Sequence, residues 1–259
     1  MRRLIIEEPV SRAAVWSRQL AGFALAVTLI AMALLRFGSV EPAPGFAALG
    51  AGLMLALAAA GCALAAFVRI WTEGRCGFGL AVKGLLLAAL ILGYPAWFAL
   101  RALTLPALTD ISTDIEDPPL FSRSRAALDA RGGRVPPDVP IEERRKQREA
   151  YPQIAPLSLD MTPDEAYELV RKAATNRGWQ VLESMRPGGR VGLGRLEAID
   201  RTFLLRIPDD VTVRIRPRAD GARVDVRSAS RIGRHDLGQN AARIRSFLDE
   251  VSNLAIAAK

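Results

Sequence analysis

The chain has 259 residues, of which 50% are hydrophobic, 24% charged and 6% aromatic. Its charge is unevenly spread: residues 1–105 hold nine Lys/Arg and four Asp/Glu, while residues 106–259 hold 26 and 23. That split excludes a single soluble globule, a disordered chain and a disulfide-stapled secreted module.

Three apolar segments predict membrane spans. The first runs from Leu20 to Leu35, between Arg18 and Arg36. The second, Phe46 to Val68, has 23 residues without a charge. At 1.5 Å per residue it covers roughly 34 Å, enough for a ~30 Å hydrocarbon core. The third runs from Leu80 to Leu100. Lys83, near its start, can snorkel to the headgroups. Pro95, near its end, is tolerated where neighbouring helices satisfy the freed carbonyl. Arg36-Phe37-Gly38-Ser39 follows the first span, and two more spans come after it, so it is not read as a cleaved signal peptide. Trp16, Trp71 and Trp97 fall near span ends, as interface belts require. Ala56, Ala60, Gly61 and Ala65 have the small-residue spacing that suits close helix packing, within the chain or between copies.

Flanking charges give a direction. Arg2, Arg3, Arg12, Arg18, Arg69, Arg75 and Lys83 lie on the N-terminal side, against Arg36 and Arg101 on the other. The positive-inside rule then expects a cytoplasmic N-terminus in a bacterial inner membrane, with the C-terminal domain in the periplasm. Mid-span charges are absent, so no ion path through the bundle is expected.

After the spans, eight prolines between Pro106 and Pro156 interrupt regular structure. Residues 106–160 are expected to form a linker or an extended arm, with a short charged helix at Ile141–Ala150. Thr162-Pro163-Asp164-Glu165 is a helix start: Thr as cap, Pro first, Glu three after the cap. Ala166, Leu169, Val170 and Ala173 make its apolar stripe, and Gly178 ends it. Five strands are then expected: Trp179–Met185, Val191–Ile199, Phe203–Ile207, Val211–Arg216 and Arg223–Arg227. Asp220-Gly221 turns the last pair, with Asp225 opposite Arg216 in a two-residue loop or Arg214 in a four-residue one. Asp236 is expected to cap a final helix from Leu237, with Ile244, Phe247, Leu248 and Val251 buried. The fold class is a three-span helical bundle plus a soluble α+β domain. That domain is an antiparallel sheet of about five strands with two helices on one face. The domains are 1–105, 106–160 and 161–259.

Asp110–Phe121 (DISTDIEDPPLF), Gln147–Leu157 (QREAYPQIAPL), Asp209–Pro217 (DDVTVRIRP) and Arg223–Val251 (RVDVRSASRIGRHDLGQNAARIRSFLDEV) resemble the family called domain of unknown function 1499. The likeness covers about 108–253. It implies domain borders and no chemistry, and some members are similar also in carrying N-terminal membrane helices.

The densest polar run is Arg227 to Asn240. It joins a strand to a helix N-terminus, where free N–H groups favour an anion. Arg227, Arg231, Arg234, Asp236 and Asn240 are therefore the candidate anion site. Against it, Asp236 with Gln239 reads as an ordinary capping box, and the arginines can simply face water. His235, the only histidine, reads as a surface residue, or as a general acid–base in an envelope enzyme built on Arg231, Arg234 and His235.

Gly188 to Gly194 lacks the full dinucleotide or P-loop pattern and reads as turn and bulge glycines. Asp110, Asp114, Glu116 and Asp117 lack the calcium-loop pattern. They read as a solvated acidic stretch, or else Thr113–Phe121 lies on the sheet as an arm. With one histidine and both cysteines, Cys62 and Cys76, in the membrane half, multi-His and Cys-ligated metal sites are excluded from the soluble half. No cofactor is expected. The arginines lack interleaved aromatics, so nucleic acid is not an expected partner. The expected partners are the lipid bilayer and either an anionic small ligand or another membrane protein. The protein is expected to be a binding or scaffolding protein rather than an enzyme.

Overall fold

The computed structural model describes residues 9–188 and 192–258. Arg2 and Arg3 of the charge count, and Gly189 to Val191 of the glycine run and the second expected strand, lie outside them. The chain forms two units: residues up to Leu100 together with Phe203–Ile207, and residues from Arg101 on without that segment.

The first unit contains α1 (Arg12–Arg36), α2 (Pro42–Glu73) and α3 (Phe78–Thr104), which runs on past Leu100. All three are long and apolar enough to cross a membrane. α3 passes through Pro95 without a break. Helix packing uses small residues, and the expected set takes part only through Ala56, which is buried, and Ala60, which packs against the same cluster. Gly52, Ala56, Ala59, Ala63 and Ala66 of α2 are buried, whereas Gly61 and Ala65 point outward. Thr28 of α1 packs where a side chain at Gly52 would stand, and Ser17 does the same at Gly84 of α3. Glycine at these two positions lets the backbones approach.

The second unit contains β1 (Asp110–Ser112), α4 (Arg125–Ala130), α5 (Ile141–Ala150), β2 (Leu157–Leu159), α6 (Pro163–Asn176), β3 (Gln180–Met185), β4 (Gly194–Arg201), β5 (Pro208–Arg218), β6 (Gly221–Ser230) and α7 (Gln239–Ala257). The sheet has six strands in the order β1-β6-β5-β4-β3, all antiparallel, and β2 shares the outer edge of β6 with β1.

Two differences from the expected meander have physical reasons. Phe203–Ile207 is not a strand. β4 pairs Arg201 with Pro208, so residues 202–207 close the hairpin, and Arg206 takes φ 54° there. Proline tolerates the first position of β5, where its missing N–H costs least. The two extra strands, β1 and β2, have three residues each, too short to show an alternation. The β5–β6 register sets Asp225 against Arg214.

α6 carries the expected capping box: Glu165 N–H donates to Thr162 Oγ1 at 3.3 Å, and Thr162 N–H donates to Glu165 Oε2 at 2.8 Å. α6 and α7 lie on one face of the sheet. Val170, Leu196, Val211, Val213, Ile215, Val224, Ile244, Phe247 and Val251 form the core there, and Trp179 stacks on Phe247 at 4.5 Å.

The other face is also covered. Residues 113–131 lie against it as an arm, which covers most of Asp114, while Glu116 and Asp117 stay exposed. Asp114 meets Arg216 and Arg223 at 2.8 and 2.6 Å. Asp117 meets Arg214 and Arg216 at 3.1 and 3.0 Å. The fully buried Asp225 takes Arg214, Arg216 and Arg223 at 3.2, 2.9 and 2.8 Å.

Candidate functional site

The run from Arg227 to Asn240 does not converge on one ligand. Arg227 is 1% exposed and donates through Nε and Nη2 to Asp110 at 2.8–3.2 Å. It also donates to the Pro137 carbonyl at 2.8 Å. Phe121 lies between Arg227 and Arg131, its ring centre 4.9 and 5.1 Å from their guanidinium carbons. Arg231 grips Asp210 with two nitrogens, at 2.7 and 3.1 Å, and the Ala130 carbonyl with a third. Arg234 is exposed.

α7 starts two residues later than the sequence suggests. Leu237 (φ 55°) and Gly238 (φ 79°) both take left-handed conformations, and Gly238 occupies the cap position. Asp236 still holds this helix end, accepting the Gly238 and Asn240 N–H groups at 2.9 Å each. The donors offered to an anion are thus engaged by the chain's own carboxylate. Asn240 is a fully used node: its amide donates to the Thr109 carbonyl and Ser230 Oγ, and its oxygen accepts from Ser228 Oγ and Arg243. Arg243 continues to Asp200 and Asp209 at 2.5 and 2.6 Å.

His235 is likewise tied to backbone. Its Nδ1 accepts the Leu237 N–H at 2.9 Å, which leaves Nε2 to donate to the Leu105 carbonyl at 3.1 Å. Neither nitrogen is presented to a substrate.

A cavity of about 370 Å³ lies beside this region. Asp110 of β1, Asp210 of β5, Arg131 and Arg231 line it, with Arg134 on the segment leading into α5 and Glu143 in the first turn of α5. Sequence reasoning placed only Arg231 here. Asp210 falls between the expected strands Phe203–Ile207 and Val211–Arg216, and Arg131 falls in the irregular stretch. Arg131 is itself locked: it pairs with buried Glu197, donates to Asp210 at 3.2 Å and to the Ser122 carbonyl at 2.8 Å. Burial pushes the Asp110 carboxyl above its ordinary range despite the two-point grip of Arg227, and the nearby charge of Glu143 adds to the rise. Burial likewise raises Glu197 against the pull of Arg131 and Arg195. The arrangement is a stiff polar wall with charges of both signs, suited to hold a polar molecule. Among the described residues, no group of three or more His, Cys, Asp or Glu side chains could hold a metal.

These features define a class: a chain with three candidate spans ahead of an antiparallel α+β domain whose polar sheet face is sealed by its own arm. The chain belongs to the family described as protein of unknown function (DUF1499), whose model matches residues 110–251. The match begins with β1 and ends within α7, so it takes in the whole sheet and the arm. No curated protein and no solved structure matches the chain.

Proposed function

We propose that this is a multi-pass inner-membrane protein that holds its α+β unit in the periplasm as a binding domain. It works there without a cofactor, without nucleic acid and without catalysis. The cavity beside Arg231 carries the reading. Its floor is fixed by buried ion pairs, and rigid, preorganised walls cost little to order on binding. Its ligand is a small polar molecule with an anionic group near Arg134 and hydrogen-bond donors for the carboxylates opposite. Seven basic residues on the N-terminal side of the membrane, against two on the other, support the periplasmic side.

Native mass spectrometry of the detergent-extracted chain tests this. A bound small molecule is expected, with its occupancy reduced in Arg134→Ala. A stoichiometric protein partner in its place would make the unit a scaffold. Turnover of a ligand would overturn the non-catalytic reading.

A further inference from the structure

The geometry points to the β4–β5 connection as a lipid-seated loop, with Phe203 inserted among the lipids at the membrane surface. The segment reads Thr202-Phe203-Leu204-Leu205-Arg206-Ile207. Hairpin loops that face water favour Gly, Asn, Asp, Ser and Pro, and this one has none. Phe203 is 91% exposed, the residues beside it are apolar, and Arg201 and Arg206 bracket them.

What covers the ring follows from its neighbours. Phe203–Ile207 groups with the three apolar helices. Arg36, the last residue of α1, donates through Nη1 to the Phe203 carbonyl at 2.6 Å and the Leu204 carbonyl at 3.1 Å. Phe37, next to it, is 80% exposed. Two aromatic rings and an arginine therefore gather at the end of a candidate span. Aromatic side chains and snorkelling arginines concentrate at that depth of a bilayer. There, backbone carbonyls need a partner, and Arg36 supplies one.

The crossing count agrees. One crossing brings the chain to Arg36, and three bring it past Thr104, so both ends emerge on the same side whichever side that is. The inference is thus independent of the periplasmic assignment. A lipid surface fits better than a protein groove. The loop is apolar at its tip and basic at its flanks, which matches a hydrocarbon boundary beneath anionic headgroups.

The test uses the full chain with Cys62→Ala and Cys76→Ala, reconstituted in phosphatidylethanolamine–phosphatidylglycerol vesicles. A spin label is placed on Phe203→Cys and, separately, on Asp220→Cys in the β5–β6 turn at the other end of β5. Dissolved oxygen is expected to collide several-fold more often than a water-soluble nickel chelate at position 203, and the reverse is expected at 220. Equal ratios at the two positions would overturn the proposal. So would a label at 203 shielded from both agents, which would mean a protein covers the loop. A second measurement guards against a disturbed loop. Phe203→Trp should add tryptophan emission that brominated lipids quench, and an added component untouched by them would likewise refute lipid seating.

Discussion

The Asp114 carboxylate lies 2.6 Å from Nη2 of Arg223, 109 residues further along the chain. Arg216 reaches the same oxygen at 2.8 Å, and Arg216 stands directly opposite Arg223 in the β5–β6 ladder. Like charges opposed across a ladder repel. Asp114 from the arm and Asp225 from β6 sit among them and reverse the sign of the contact. The DISTDIEDPP and VRIRP…RVDVR segments thus interlock as the two halves of one ion-pair layer.

Removing one acid from that layer should uncover the repulsion. Asp114→Asn keeps the shape and loses the charge, and it is expected to cost about 1–3 kcal/mol. Burial pushes the Asp114 carboxyl up. The Asp117 N–H, Arg216 and Arg223 outweigh that and hold it below the ordinary carboxylate range. A lowered pKa in the fold means stability present above the unfolded value and lost as pH falls through the folded one. The melting-temperature gap between wild type and Asp114→Asn should therefore be full at neutral pH and close on acidification. A gap that persists at acid pH would show that the charge is not its source.

The soluble unit should fold without the helices, because α6 and α7 cover the apolar face and the arm covers the other. A fragment beginning at Arg101 is expected to melt in one cooperative transition. A fragment beginning at Pro106 loses the Leu105 carbonyl that accepts from His235. It should be less stable by about 1 kcal/mol. If neither fragment melts cooperatively, the unit depends on the membrane helices.

Some of this was legible in the residues. The spans, α5 at Ile141–Ala150, the α6 capping box and the alternation of β5 and β6 follow from local pattern, because each repeats at its own period within one element. The arm does not. Whether Asp114 faces water or Arg223 is decided only by a fold that brings together positions over a hundred residues apart. The alternation at Phe203–Ile207 was misleading for a related reason: a lipid-facing loop and a short strand can carry the same apolar spacing. The start of α7 was displaced because Leu237 takes a left-handed conformation that its type rarely shows. The cavity was missed because Asp110 of β1 lies in the stretch that reads as a linker and Asp210 of β5 lies between two expected strands.

The orientation can be tested independently of any ligand. A reporter active only outside the cytoplasm should work when fused after Lys259 and fail when fused at Glu73, which ends α2. The opposite pattern would place the α+β unit in the cytoplasm and remove the envelope reading.

Asn240 separates a structural reading of the Arg227–Asn240 run from a binding one. Its side chain meets four partners, and all of them lose a bond in Asn240→Ala. Arg243 suffers most, because a buried guanidinium that loses an acceptor costs more than a neutral group does. Arg243 keeps Asp200 and Asp209, so the fold should survive at a cost of about 3 kcal/mol. Asn240→Asp should also destabilise. It retains an acceptor for Arg243 and Ser228 but has no amide to donate to Thr109 and Ser230, and it adds a carboxylate near Asp209. Arg234→Ala, in the same run but exposed, should change stability by no more than about 0.5 kcal/mol. Chemical denaturation of the three variants checks the ranking. If Arg234→Ala cost as much as Asn240→Ala, Arg234 would have partners in solution that its exposed position does not suggest. If Asn240→Ala were neutral, its hydrogen bonds would not hold β1, β6 and α7 together.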